Sequence, residues 1–306
     1  MPGQHTHPFL RRSLKVAVVI LVLLFFAWLT VSYIVADHLT ARPWPRRPEK
    51  VPEIDWGKLE SHQLLTSDGE QIAAWFIAGR DDRPVVVLLH GYQAARRSML
   101  GSARFWARRG LSVMAISQRG HGESSGDRVD FGYSARHDVV AAVDFLGRRL
   151  PGRPILIHGR SMGAASAIFA AGEIGDPVHG YILECPYLDL RTAVWNRAQL
   201  KLPPVLDWVA FRGMIAVSPL VLPHAADISP INAIEKMPAN VPLLILAGAK
   251  DRHARPHEAR KLNAAAPGPS ELIIFESAGH TGLKATDPQR YNRSLSQFLR
   301  RTASDG

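Results

Sequence analysis

Ser161 stands at the centre of Gly159-Arg160-Ser161-Met162-Gly163. Before it runs Ile155-Leu156-Ile157-His158, which reads as a buried strand, and residues 164–174 read as an alanine-rich helix. A strand, a sharp turn and a helix would expose the serine oxygen at the edge of a sheet. Small residues two before and two after it let strand and helix approach each other. The helix N-terminus then aims free N–H groups at developing negative charge, which is what a nucleophile in acyl transfer needs. The plainer reading of five such residues is a glycine-rich turn with an idle serine, and the flanking strand and helix argue against it.

A nucleophilic serine needs a base, and the chain offers 13 histidines. His280 lies in Ser277-Ala278-Gly279-His280-Thr281-Gly282, directly after the last predicted strand. That is a loop at the carboxyl end of the sheet, where ligands bind in open α/β folds. It also follows the serine and the acid in chain order, as this mechanism requires. His253 and His257 sit in a charged segment and read as solvated; His121 and His158 precede the serine; His90 reads as structural. Asp251, in Ala247-Gly248-Ala249-Lys250-Asp251-Arg252, is the predicted acid that holds the His280 tautomer, with Asp189 as runner-up. The backbone N–H groups of Met162 and Tyr92 are the candidate oxyanion donors. The second follows the strand at 85–89, and Gly91 lets the chain turn inward there.

The elements that must position these groups alternate along the chain. Apolar runs at 71–77, 84–89, 111–116, 155–157, 178–183, 243–246 and 272–275 read as strands, and helical periodicity at 135–150, 164–174 and 291–301 lies among them. This predicts an α/β fold: a mostly parallel, twisted sheet with helices on both faces. Residues 187–236 break the alternation with Trp195, Trp208, Phe211 and Leu220, and read as a short helical cap over the site.

His90-Gly91, Arg119-Gly120-His121-Gly122-Glu123-Ser124, Gly159-Arg160-Ser161-Met162-Gly163, Gly248-Ala249-Lys250-Asp251 and Gly279-His280 occur in the order and spacing of the α/β-hydrolase family. Over about residues 60–300 the chain resembles the membrane-anchored, small-cap branch of that family, the serine aminopeptidase-like or esterase-like hydrolases. The resemblance implies an α/β-hydrolase fold with Ser161 as nucleophile, His280 as base and Asp251 as acid. One departure is visible. Ser117 stands before the Arg119-Gly120-His121-Gly122 loop where the family usually carries an aspartate.

Together these features predict a serine hydrolase cleaving a carboxylic ester or related acyl bond of a small-molecule substrate, with no metal or organic cofactor. A serine peptidase acting on short peptides is the second reading. It would need a carboxylate for the substrate amine, for which Glu184 and Asp189 are the nearest candidates. A non-catalytic, membrane-tethered binding protein is the third.

Residues 16–36 contain no Asp, Glu, Lys or Arg. As a helix they would span about 30 Å, the thickness of a bilayer core. Arg11, Arg12 and Lys15 precede the run, and Trp28 and Tyr33 lie toward its far end. The run is longer than a signal peptide's apolar region, and the best cleavage site there puts bulky Ile34 beside Ala36 at the recognition positions, which favours an uncleaved anchor. The chain therefore divides into a cytoplasmic tail at 1–15, a transmembrane helix at 16–36, a Pro-rich linker at 37–55 and a hydrolase domain at 56–306, with the cap at 187–236. Positive charges before the span predict a single-pass protein with its catalytic domain on the outer side, periplasmic or extracellular in a bacterium. The net charge of +10 comes from scattered arginines without interleaved aromatics, which argues for membrane lipid and against nucleic acid as partner. The single cysteine, Cys185, excludes an internal disulfide and reads as a small buried hydrophobe.

Overall fold

Val85-Val86-Val87-Leu88-Leu89 is apolar at every position, and all five residues are fully buried in a strand covered on both faces. The structure, a computed structural model, describes residues 8–175 and 177–304. A long helix α1 (Pro8–Thr40) leads into β1 (Leu59–Leu65), β2 (Gln71–Ile77), β3 (Val85–Leu89), α2 (Leu100–Ala107), β4 (Ser112–Ile116), α3 (Arg136–Arg149), β5 (Ile155–Arg160), α4 (Met162–Ile174) and β6 (Val178–Glu184). Then come α5 (Leu190–Lys201), α6 (Leu206–Val221), α7 (Pro230–Ile234), β7 (Leu243–Gly248), α8 (Pro256–Ala265), β8 (Ser270–Phe275), α9 (Leu283–Thr286) and α10 (Pro288–Ser304).

The strands form one eight-stranded sheet in the order β1-β2-β4-β3-β5-β6-β7-β8. β2 runs antiparallel to both its neighbours, and every other pairing is parallel. Side chains alternate between two cores. Val85, Val87, Leu89, Ile157 and Leu183 pack with α3, α4 and α8 on one face, while Val86, Leu88, Leu156, Ile182 and Leu246 pack with α2 and α10 on the other. The expected strands are all present, several of them a residue or two longer; β1 was not anticipated. Its sequence, Leu-Glu-Ser-His-Gln-Leu-Leu, is half exposed at the sheet edge and carries no clean alternation.

The insertion between β6 and β7 is helical, made of α5, α6 and α7. Of the residues read as tail, 1–7 lie outside the described residues. Helix α1 is long and apolar enough to cross a membrane, and it runs to Thr40, past the end expected at residue 36. The segment after it is tied down. Arg42 donates through its guanidinium to the carbonyls of Gly122, Ser124 and Gly126, and Arg46 donates to the carbonyl of Glu123.

Candidate active site

Ser161 sits between β5 and α4 with φ 51° and ψ −111°, in the left-handed half of backbone space that a non-glycine residue rarely enters. The surrounding backbone holds it there. A Cβ on Gly159 would lie 2.4 Å from the Gly163 carbonyl oxygen, and one on Gly163 would lie 2.5 Å from the carbonyl oxygen of Leu89. Both glycines are therefore needed for strand and helix to meet.

Ser161 Oγ is 2.9 Å from His280 Nε2, and His280 Nδ1 is 2.7 Å from Asp251 Oδ2. The three residues come from the ends of β5, β7 and β8, all at the carboxyl edge of the sheet. Asp251 is 3% exposed, and its other oxygen accepts from the amides of His253 at 2.7 Å and Ala254 at 2.9 Å. A carboxylate so held stays fixed while Nδ1–H donates to it. The His280 lone pair on Nε2 is then free to face the serine hydroxyl.

The segment expected to supply the second oxyanion donor lies alongside. A Cβ on Gly91 would fall 3.6 Å from the Ser161 Cβ, so His90-Gly91-Tyr92 passes next to the serine. Met162 opens α4, where first-turn amides have no intrahelical acceptor. The Tyr92 hydroxyl donates to the carbonyl of Leu39 at 2.7 Å, which joins this loop to the end of α1, a contact the sequence did not reveal.

The remaining histidines divide by burial. His90 bonds the Gly91 carbonyl through Nδ1 and accepts from the Gln118 amide through Nε2, so it is satisfied and structural. Burial lowers its pKa to about 3, and that of neighbouring His121 to about 4. Trp106 donates to His158 Nδ1, which leaves Nε2–H to donate to Glu184 at 2.7 Å. His257 is exposed. His253, expected in solvent, instead lies with its ring 5.0 Å from that of His280. Burial, then the proximity of His280, lowers its pKa. Its adjacency to Asp251 in sequence was the available signal.

Asp189, the runner-up acid, caps α5 instead: one oxygen accepts from the Thr192 amide and the other from its hydroxyl. Glu184 is equally committed, to His158, Tyr291 and Arg160. Burial alone would raise its pKa, but these donors outweigh it and hold the pKa at about 2. Cys185 is buried, and burial raises its thiol pKa well above the usual value. Its sulfur, Asp251 and His280 offer ligand atoms within 4.8 Å of one another. The Asp251 oxygens, however, already accept three N–H groups. Ser117, at the position where an aspartate was expected, accepts from the Arg96 amide and sits against Gly122, where a Cβ would already come within 2.8 Å of the serine oxygen. The small side chain suits that turn.

A pocket of about 500 Å³ adjoins His280, lined by Ser102, Arg160, Lys284 and Tyr291 among others. The helices between β6 and β7 meet the loop that follows Asp251. The amide of Asn196 on α5 donates to the His253 carbonyl and to buried Glu258.

Comparisons with known proteins agree with this architecture. The model of the family described as serine aminopeptidase, S33, matches residues 80–217. The uncharacterized protein YqkD of Bacillus subtilis is 26% identical over 241 residues, 76% of each chain. Human monoglyceride lipase is 28% identical over 277 residues, covering 77% of this chain and 87% of the lipase. The esterase Pf2001 of Pyrococcus furiosus superposes with a TM-score of 0.69 at 22% identity, over 84% of this chain and 96% of the esterase. By the order of its sheet and its superposition on the esterase, the chain has the α/β-hydrolase fold, and over residues 80–217 it resembles the serine aminopeptidase family.

Proposed function

We propose that this chain is a membrane-anchored serine hydrolase that cleaves a carboxylic ester or related acyl bond through an acyl-serine intermediate. The observation that carries the reading is the continuous relay from Ser161 Oγ through His280 to Asp251 on a strained elbow. Ser161 Oγ attacks the acyl carbon while its proton passes to His280 Nε2. Asp251 stabilises the imidazolium so formed. The amides of Met162 and Tyr92 hold the oxyanion. Collapse expels the alcohol, which takes the proton from His280. A water molecule then repeats the sequence on the acyl-enzyme, releasing the acid and restoring the serine. No metal or organic cofactor enters these steps.

An ester is favoured over a peptide for two reasons. The cap presents Trp195 and Phe211, packed edge to face with ring centroids 5.3 Å apart. The two carboxylates nearest the site that could have anchored a substrate amine, Glu184 and Asp189, are already saturated by their own partners. The relationship to a monoglyceride lipase supports the same choice. With p-nitrophenyl esters the full chain should release a burst of p-nitrophenol stoichiometric with enzyme, and should cleave them much faster than aminoacyl anilides. A preference for the anilides would make it a peptidase.

Helix α1 supports attachment to the membrane, and the positive charges at Arg11, Arg12 and Lys15 before it favour a catalytic domain on the outer face. A C-terminal alkaline phosphatase fusion should then be active; an inactive one would put the domain in the cytoplasm.

A further inference from the structure

The membrane helix does not simply tether the catalytic domain; it packs against the cap. Trp28 Nε1–H of α1 donates to the carbonyl of Val209 on α6 at 3.1 Å. Four residues on, Ser32 is buried against Gly213: a Cβ there would lie 2.1 Å from the serine Oγ and 2.9 Å from Trp28 Nε1. The absence of a side chain at Gly213 is what lets the two helices close.

The depth of this crossing follows from helix geometry. At about 1.5 Å per residue, Trp28 lies roughly 20 Å and Ser32 roughly 26 Å beyond Lys15, in a hydrocarbon core about 30 Å thick. If the core begins near Lys15, the crossing falls roughly 5–10 Å inside its far boundary, the depth at which amphipathic helices lie in a membrane interface.

The surface of the cap fits that depth. Leu206, Gly213 and Leu220 are spaced seven apart and share one stripe of α6. Its centre meets α1, and the leucines on either side are 55% and 73% exposed. The stretch before the helix, Leu202-Pro203-Pro204-Val205, is exposed and uncharged. Between 202 and 220 the only charged residues are Asp207, which is buried, and Arg212, whose guanidinium lies 5.6 Å from the centre of the exposed Trp208 ring. A tryptophan beside an arginine is the pairing that the headgroup level favours.

We propose that α6 is a second membrane contact, lying in the interface beside α1 with Leu206, Trp208 and Leu220 in lipid. This rests on reading α1 as a span. The occupant of the exposed face is the bilayer, because α6 is held against the span at a level that lies within it. Helix α6 in turn stacks on α5 through Trp195 and Phe211, and α5 reaches the His253 loop beside the triad. The cap would therefore present the site to esters held in the leaflet.

The test uses the full chain in vesicles of phosphatidylethanolamine and phosphatidylglycerol. Cysteine replaces Leu206, Leu220, Leu21 on α1 or Asp82 on the far loop, one per variant, each carrying an environment-sensitive fluorophore. Cys185 is 2% exposed, and the unsubstituted chain is the control for its labelling. Nitroxides near the top of the lipid acyl chains should quench the probes at 206 and 220, and the probe at 82 should be unaffected. Quenching in the bilayer at 21 but not at 206 and 220 would overturn the proposal and leave the anchor standing. No quenching at any of these positions, with lipids labelled at several depths, would remove both. A blue shift at 206 and 220 that lipid does not quench and that grows with protein density would assign the face to a second copy, and overturn the proposal as well. Leu206→Asp with Leu220→Asp should slow hydrolysis of a long-chain ester embedded in the vesicles by about tenfold or more, with turnover of soluble p-nitrophenyl acetate unchanged. Equal loss on both substrates would also count against it.

Discussion

Around Gly163 the nearest neighbours are carbonyl oxygens of β3 and its following loop, whereas Leu220 on α6 is 73% exposed. The first region is held by backbone against backbone in the middle of a parallel sheet, where nothing can move aside. The second is held where α6 crosses α1 and α5, and leaves an apolar face uncovered. A nucleophile needs the first kind of support, because its oxygen must keep its aim at the base. The exposed face of α6 carries no such constraint. The difference predicts that equal-sized changes in the two regions will have very unequal effects.

The largest effect outside the serine itself belongs to the acid. Asp251→Asn should lower turnover by about 10⁴-fold, because the amide favours the wrong His280 tautomer and does not stabilise its cation. Asp189→Asn keeps a capping oxygen and should leave turnover nearly unchanged. Steady-state kinetics on one ester would check both, and the reverse order would move the acid to the earlier loop.

Next come the paired tests of support. Gly163→Ala forces a methyl group to within 2.5 Å of a backbone oxygen and should cost about 3 kcal/mol or more in unfolding free energy. Trp208→Ala removes a far larger side chain from the cap surface, yet in detergent should change stability by only about 0.5 kcal/mol or less. Comparable losses from denaturant melts would erase the contrast drawn here.

A pH-dependent effect comes from two buried histidines beside Tyr92. His90 and His121 are held neutral by burial, with pKa values lowered from 6.5 to about 3 and about 4. In acid the unfolded chain takes up protons that the folded one refuses. The stabilisation is therefore complete above the unfolded value and is lost as pH falls from about 6.5 toward 4 and below. Near pH 5 the loss should be roughly 2–4 kcal/mol between them, visible as a falling melting temperature. A flat profile from pH 7 to 5 would mean that these side chains protonate freely in the fold.

Much of this architecture was legible in the sequence, for a physical reason. Strands β3, β4 and β7 are buried at every position and spell nearly unbroken apolar runs, β5 and β6 keep apolar cores at 155–157 and 181–183, and glycines at the ends of β5 and β7 and after β8 mark the site. The candidate triad could be read because its members lie in the loops that follow β5, β7 and β8. Contacts set by three-dimensional closure were not legible. The edge strand β1 has too mixed a pattern. The stacking of His253 on His280 depends on how two loops meet. The Pro-rich stretch gives no sign that Arg42 would find three carbonyls 80 or more residues away. The packing of α1 on the cap turns on one glycine inside a helix that otherwise reads as ordinary.

The central claim is that Ser161 is the nucleophile, and covalent labelling tests it most directly. The full chain in detergent, treated with a fluorophosphonate probe and analysed by intact mass, should gain one probe per molecule on Ser161. Ser161→Ala should gain none, and its ester turnover should fall by about 10⁵-fold or more. Equal labelling of the two proteins would contradict the account.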